Sequence, residues 1–165
     1  MKDKLLEIVN ILEKVPESYI TLNPPASEQE IAAFEKKWNI SLPKDYVDLL
    51  MKYNGINLMG DALLGVPSTN GDPENLDRCY QIEHYDCGNP MPLHLIPFSP
   101  DGFGNHYCFD TQSNKIVFWQ HDCDYSEGSP EVVYDTLDAM MQEIFIEWII
   151  FDDEDLSIIM SSVVK

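Results

Sequence analysis

Between Leu93 and Asp122 the sequence alternates strand-like pieces with turn chemistry, and this unit limits the fold more than any other stretch. "LHLIPFS" at 93–99 has the profile of a strand ended by prolines. Asp101-Gly102 and Gly104-Asn105 are turn residues, suited to backbone angles that larger side chains resist. "NHYCFD" at 105–110 alternates, which predicts Tyr107 and Phe109 on one face and His106 and Cys108 on the other. "TQSN" is a second turn, and "KIVFWQHD" at 115–122 is a β-branched and aromatic strand. Three such strands form an antiparallel meander.

Helical patterns flank the meander. Residues 3–14 read as an amphipathic helix with Leu5, Val9 and Leu12 on one side, Leu6 and Ile8 beside them, and Pro16 closing it. Ser27 and Glu30 have capping-box spacing, and Ile31, Phe34 and Trp38 follow at helical intervals. Pro43 suits the first turn of the next helix, lined by Tyr46, Leu49, Leu50 and Tyr53 and ended by Asn54-Gly55. "INLMGDALLGVPS" suits strands or a bend between them. "GDPENLDRCYQIEHYD" reads as a helix with Asp72 as cap, Pro73 at its start, and Leu76, Cys79, Tyr80 and Ile82 inward. From Ser129 the pattern predicts a long helix capped at Ser129 or Asp135, with Val133, Leu137, Met140, Met141, Ile144 and Trp148 on its apolar side. "LSIIMSSVVK" fits either a strand or a helix. Trp38, Trp119 and Trp148 each fall on an apolar side, which predicts core packing.

Helices, then short strands, then a long helix define an α+β fold, with a mostly antiparallel sheet flanked by N-terminal helices and a long C-terminal helix. At 165 residues the expectation is a single domain, with a core over about 23–150, an N-terminal helical extension at 1–22 and an acidic, apolar tail at 151–165. No apolar run approaches the ~18–20 residues that span a bilayer. The first residues lack the uninterrupted apolar centre of a secretory signal, so the cytoplasm is the expected location. Four cysteines without a CxxC then read as reduced thiols.

Charge bears on partners. Ten basic residues against 29 acidic ones give a net charge of −19, which repels nucleic acid and anionic membranes and attracts basic proteins. No Lys or Arg occurs between Lys115 and Lys165. Plain solubility explains the same composition.

The letters bear on three chemistries. His84 with Cys87, His106 with Cys108 and His121 with Cys123 are near neighbours, but the C-x₂₋₄-C pairs of structural zinc sites are missing. "DGFGN" has GxG spacing, but a strand follows it instead of the helix a phosphate site uses. Cys108 or Cys123 with His106 or His121 supplies a nucleophile and a base, with no third group or oxyanion site evident.

Taken in order, "ASEQEIAAFEKKWNISLPKDYVDLLMKYNGI", "LLGV" at 63–66, "LIPFSPDGFGNHYCFDTQSNKIVFWQHD" and the C-terminal helix containing Trp148 resemble the SUKH superfamily, the group related to the yeast Smi/Knr cell-wall-assembly regulators. The resemblance covers about residues 23–150; segment 68–92 matches nothing firm. It implies an α+β domain that works by binding, most bacterial members being immunity proteins that neutralise a cognate toxin, often a nuclease. It implies no catalytic residue, cofactor or metal. The partner expected here is a basic protein, a toxin domain, with no nucleic acid and no membrane. The candidate contact residues are Asp122, Asp124 and Glu127 after the last meander strand, then Asp152, Asp153, Glu154 and Asp155. Two rival readings are a regulatory interaction module with a non-toxin partner and a metal- or thiol-dependent enzyme.

Overall fold

The structure, a computed structural model, describes residues 1–69, 74–126 and 128–163. Helix α1 spans Asp3–Leu12 and buries Leu5, Ile8, Val9 and Leu12 in the main core. Strand β1 is Ile20–Leu22. Helix α2, Glu28–Trp38, starts with the expected capping box: Ser27 Oγ accepts from the Glu30 N–H at 3.1 Å, and Glu30 Oε2 accepts from the Ser27 N–H at 2.8 Å. Asn39, left-handed at φ 53°, ends it. Glu35 Oε1 then accepts from the Leu42 N–H at 2.8 Å and fixes the bend into α3, Lys44–Leu50. Pro43 stands one residue before α3 and not within its first turn.

Strands β2, Ile56–Leu58, and β3, Asp61–Leu63, form a hairpin. Its two linking residues, Met59 and Gly60, have φ of 54° and 101°, the positive values a two-residue hairpin turn requires. With β1 they make a three-stranded antiparallel sheet. Strand β3 ends at Leu63, so only the first residue of "LLGV" is in a strand. Beyond it the chain is pinned by side-chain bonds: buried Asn54 donates from Nδ2 to Val66 O at 2.9 Å and accepts at Oδ1 from the Val66 N–H at 2.8 Å. The Leu64 N–H donates to Phe98 O at 2.9 Å, which ties this segment to the second sheet.

Asn75 caps helix α4, Leu76–Gln81, accepting from the N–H groups of Asp77 and Arg78 at 3.0 and 3.1 Å. The expected cap and start, Asp72 and Pro73, lie outside the described residues. The helix continues in π form over Ile82–Asp86. Leu76 and Tyr80 are buried and Cys79 half-buried, but Ile82 is exposed, against expectation.

The meander is present as β4 (Leu95–Pro100), β5 (His106–Asp110) and β6 (Lys115–Trp119). A fourth strand, β7 over Glu131–Tyr134, joins the edge of β6 where a helix was expected. The β-branched pair Val132-Val133 lies here, and ladder bonding to Val117 and Ile116 outweighs the helical spacing. The next helix, α5 (Leu137–Met141), is capped by Thr136, which accepts from the Ala139 N–H at 3.3 Å; neither Ser129 nor Asp135 caps it. It runs on as a π-helix over Gln142–Phe151. Asp153 then caps α6, Glu154–Ser161, so the tail is helical through Ser161.

Strands β4 to β6 pack against a core on each face of the sheet, whereas β7 at its edge is only partly covered. Ile96, Phe98, Phe109 and Ile116 face the main core, where Phe98 and Phe109 stack at 3.8 Å and Tyr46 meets both edge-on. Leu95, Cys108, Val117 and Trp119 face a smaller second core with Met91 and Tyr125. Strand β5 alternates as expected, with Phe109 and half-buried Tyr107 packed on the main core and Cys108 in the second core, and His106 is buried as well. The fold class is α+β, built on two antiparallel sheets.

Candidate functional site

The expected contact acids stand on two loops. Asp122 and Asp124 are exposed just after β6. Asp124 accepts from the Ser126 N–H at 2.9 Å, and that bond holds its carboxyl below the usual value. Glu127 lies outside the described residues. Asp152, Glu154 and Asp155 are exposed around the start of α6, whereas Asp153 is half-buried and accepts from the Leu156 N–H at 2.8 Å as the cap. Three of the four tail acids are thus open to solvent, and the fourth serves the helix.

The loop carrying Asp122 is knitted to two others. The Asn89 side chain donates to His121 O at 2.9 Å. The His121 N–H donates to Asn105 Oδ1 at 3.2 Å, and His121 Nδ1 lies 3.0 Å from the same oxygen. Asn105 belongs to the β4–β5 turn, which Asp101 organises by accepting from the N–H groups of Phe103 and Asn105 at 2.7 and 3.0 Å. Burial opposes the charge on Asp101, but these donors outweigh it and lower its pKa. At the tip of this turn Phe103 is 81% exposed. A large apolar residue between two glycines, with no strand or helix period to bury it, is a signal readable in the sequence.

The tryptophans divide. Trp119 is buried in the second core, and half-buried Trp38 donates from Nε1 to Asp77 at 2.9 Å. Trp148, expected inside, is 51% exposed. The π-helix explains this. Each of its turns closes one residue later than in an α-helix, so Met141, Phe145-Ile146 and Ile150 recur on the inner side at steps of four or five. Trp148 falls between those steps and is turned outward.

The neighbouring His and Cys side chains turn to other partners, Cys108 reaching His106 only at its backbone oxygen, at 3.6 Å. His84 lies between two carbonyls, Nδ1 2.8 Å from Met91 O and Nε2 3.0 Å from Leu95 O. Cys108 approaches Met91 Sδ at 3.8 Å, and Cys123 approaches Gln120 Oε1 at 3.5 Å. The fold instead assembles Cys79, His106 and Glu83 beside a cleft of about 240 Å³. Cys79 Sγ is 3.8 Å from His106 Nδ1, and His106 Nε2 is 3.1 Å from Glu83 Oε1 but off the direction of a hydrogen bond. The order nucleophile, base, carboxylate is that of a thiol triad. Burial, aided by the Glu83 charge, pushes the Cys79 thiol up to about 12, so at neutral pH it is protonated and a poor nucleophile. Among the described residues no three His, Cys, Asp or Glu side chains are grouped to hold a metal ion. The wider cleft of about 650 Å³, between the α2–α3 bend and the β5–β6 turn, has its lysines paired: Lys115 with Asp135 at 2.8 Å and Lys2 with Asp45 at 2.7 Å. Among the described residues no helix is long and apolar enough to cross a membrane.

The fold is a two-sheet α+β domain that carries exposed acids and exposed large apolar side chains. Comparison with known sequences agrees with the resemblance. The SUKH_6 family model, described as SMI1-KNR4 cell-wall, matches residues 28–140, from the start of α2 to within α5, and the chain belongs to this family. The chain is also similar to the SPbeta prophage-derived uncharacterized protein YokK of Bacillus subtilis (strain 168), 23% identical over 157 residues, covering 78% of this chain and 80% of that protein.

Proposed function

We propose that this protein is an immunity-type binder that neutralises a basic toxin domain, in the first place a nuclease, by forming a stoichiometric complex with it. The observation that carries the reading is the absence of any Lys or Arg between Lys115 and Lys165, with the exposed acids Asp122, Asp124, Asp152, Glu154 and Asp155. A nuclease grips phosphate with a positive cleft, and an acidic protein is steered to such a cleft and competes for it. Family membership supports binding over catalysis, and the burial that raises the Cys79 thiol speaks against its use as a nucleophile. The test is a search of the gene neighbourhood for a toxin domain, followed by co-expression of that domain with the protein. Restored growth, together with a one-to-one complex on gel filtration, supports the reading; a toxin that kills as efficiently in the presence of the protein overturns it. The family's cell-wall description favours one second reading, a regulatory interaction module. That reading predicts a non-toxin partner in a pull-down and no growth protection.

A further inference from the structure

The described chain closes on two consecutive helical segments, the π-helix Gln142–Phe151 and α6, which pack on one another. Each has an inner side in the main core, Ile146 and Ile150 from the first, Leu156 and Met160 from the second. Each also carries large apolar side chains into solvent. Trp148 and Phe151 are exposed on the first, and Ile158, 70% exposed, and Ile159 on the second. Ile158 stands two residues from both Leu156 and Met160, which on an α-helix is the side opposite the buried stripe. Exposed apolar residues scattered singly need no explanation, but several large ones on adjoining helices mark a contact surface.

The charges around them select the partner. Glu147, Asp152, Glu154 and Asp155 are exposed on the same two segments, and the stretch from Gln142 to Ser161 has no Lys or Arg. A second copy of this chain would set acids against acids, and an anionic membrane would be repelled. A polypeptide with an apolar centre and a rim of lysine and arginine matches on both counts. We propose that the outer side of this helical pair docks a basic polypeptide, with Trp148, Ile158 and Ile159 making the apolar contact and the four acids pairing with the cationic rim. The proposal rests on the binding reading above and names the surface for it. The surface lies beyond residue 140, where the family match ends, so the choice of partner is assigned to a part of the chain that the family model does not describe.

The test uses the full chain and two ligands. One is a toxin domain identified by that search of the gene neighbourhood. The other is a synthetic amphipathic Leu/Lys helix of about 18 residues, with a scrambled Leu/Lys peptide and a Leu/Glu helix as controls. The Leu/Lys helix is expected to bind and to shift the Trp148 fluorescence, and the two controls are not. The double variant Trp148→Ala, Ile158→Ser should melt at the wild-type temperature and bind either ligand at least about tenfold more weakly. Trp148→Phe should retain binding. Asp152→Asn with Glu154→Gln and Asp155→Asn should slow association and flatten its salt dependence. Equal binding of all three peptides overturns the proposal, as does toxin binding untouched by both sets of substitutions. Growth protection that survives the double variant at full strength overturns the surface while leaving the immunity reading intact. A wild-type protein that binds the Leu/Lys helix but gives no protection overturns the immunity reading while leaving the surface. Dimers that depend on Trp148 and Ile158 would give the face to a second copy and end the proposal.

Discussion

Buried between two carbonyls, His84 couples the stability of this fold to pH. A neutral imidazole has one N–H, so it can donate to Met91 O or to Leu95 O but not to both. Protonation would satisfy both oxygens, yet the cost of burying the charge is larger and lowers the pKa. The folded state therefore favours neutral His84 more than the unfolded chain does. Its contribution is complete above the unfolded value of about 6.5 and is lost as pH falls from there through the lowered folded value. Melting temperatures should drop over that window, and a His84→Gln variant should lack that part of the slope; identical slopes would exclude His84 as the cause. Gly65 makes a second residue-scale prediction. A Cβ there would sit 2.3 Å from the Asn54 backbone oxygen, which cannot swing aside as a flexible side chain could. Gly65→Ala should cost at least about 1–3 kcal/mol in urea denaturation.

At the scale of elements, the π-helix decides what a tryptophan is worth. Trp119→Ala empties a site in the second core and should cost about 3–5 kcal/mol. Trp148→Ala, on the outer side of Gln142–Phe151, should change stability by less than about 0.5 kcal/mol. Equal losses in thermal denaturation would place both rings inside. The sequence carried no warning of this, because Trp148 follows Ile144 by four residues and Met141 by seven, intervals that an ordinary helix puts on one side. The capping box at Ser27 was legible because its signal is local. The meander was legible because its alternation and turn residues agree. Strand β7 was not, since its four residues take their identity from pairing with β6. The Cys79–His106–Glu83 group was equally hidden: it joins α4, its π continuation and β5, and no spacing within one segment records that meeting. Of the candidate surface, the acids could be read from the sequence and the outward-facing apolar residues of the C-terminal helices could not.

For the whole molecule, a net charge of −19 is a standing self-repulsion that folding has to overcome. Raising NaCl from about 0.01 to about 0.15 M shortens the screening length from roughly 30 to 8 Å and should raise the melting temperature. The same salt should slow association with a basic partner, so stability and association rate are expected to move in opposite directions in one titration. A melting temperature that falls with salt would show that specific ion pairs outweigh the repulsion. The second core adds a kinetic consequence. Cys108 has no exposed surface, and its side of the sheet is covered by Met91 and the chain around Tyr125 rather than by the main core. If that cover lifts by itself, Cys108 will react with a thiol reagent sooner than global unfolding allows, and the ratio of the two rates gives the free energy of the local opening. The sheet would then act as a partition between two compartments that open on separate clocks, and Cys108 is the natural probe for timing the smaller one.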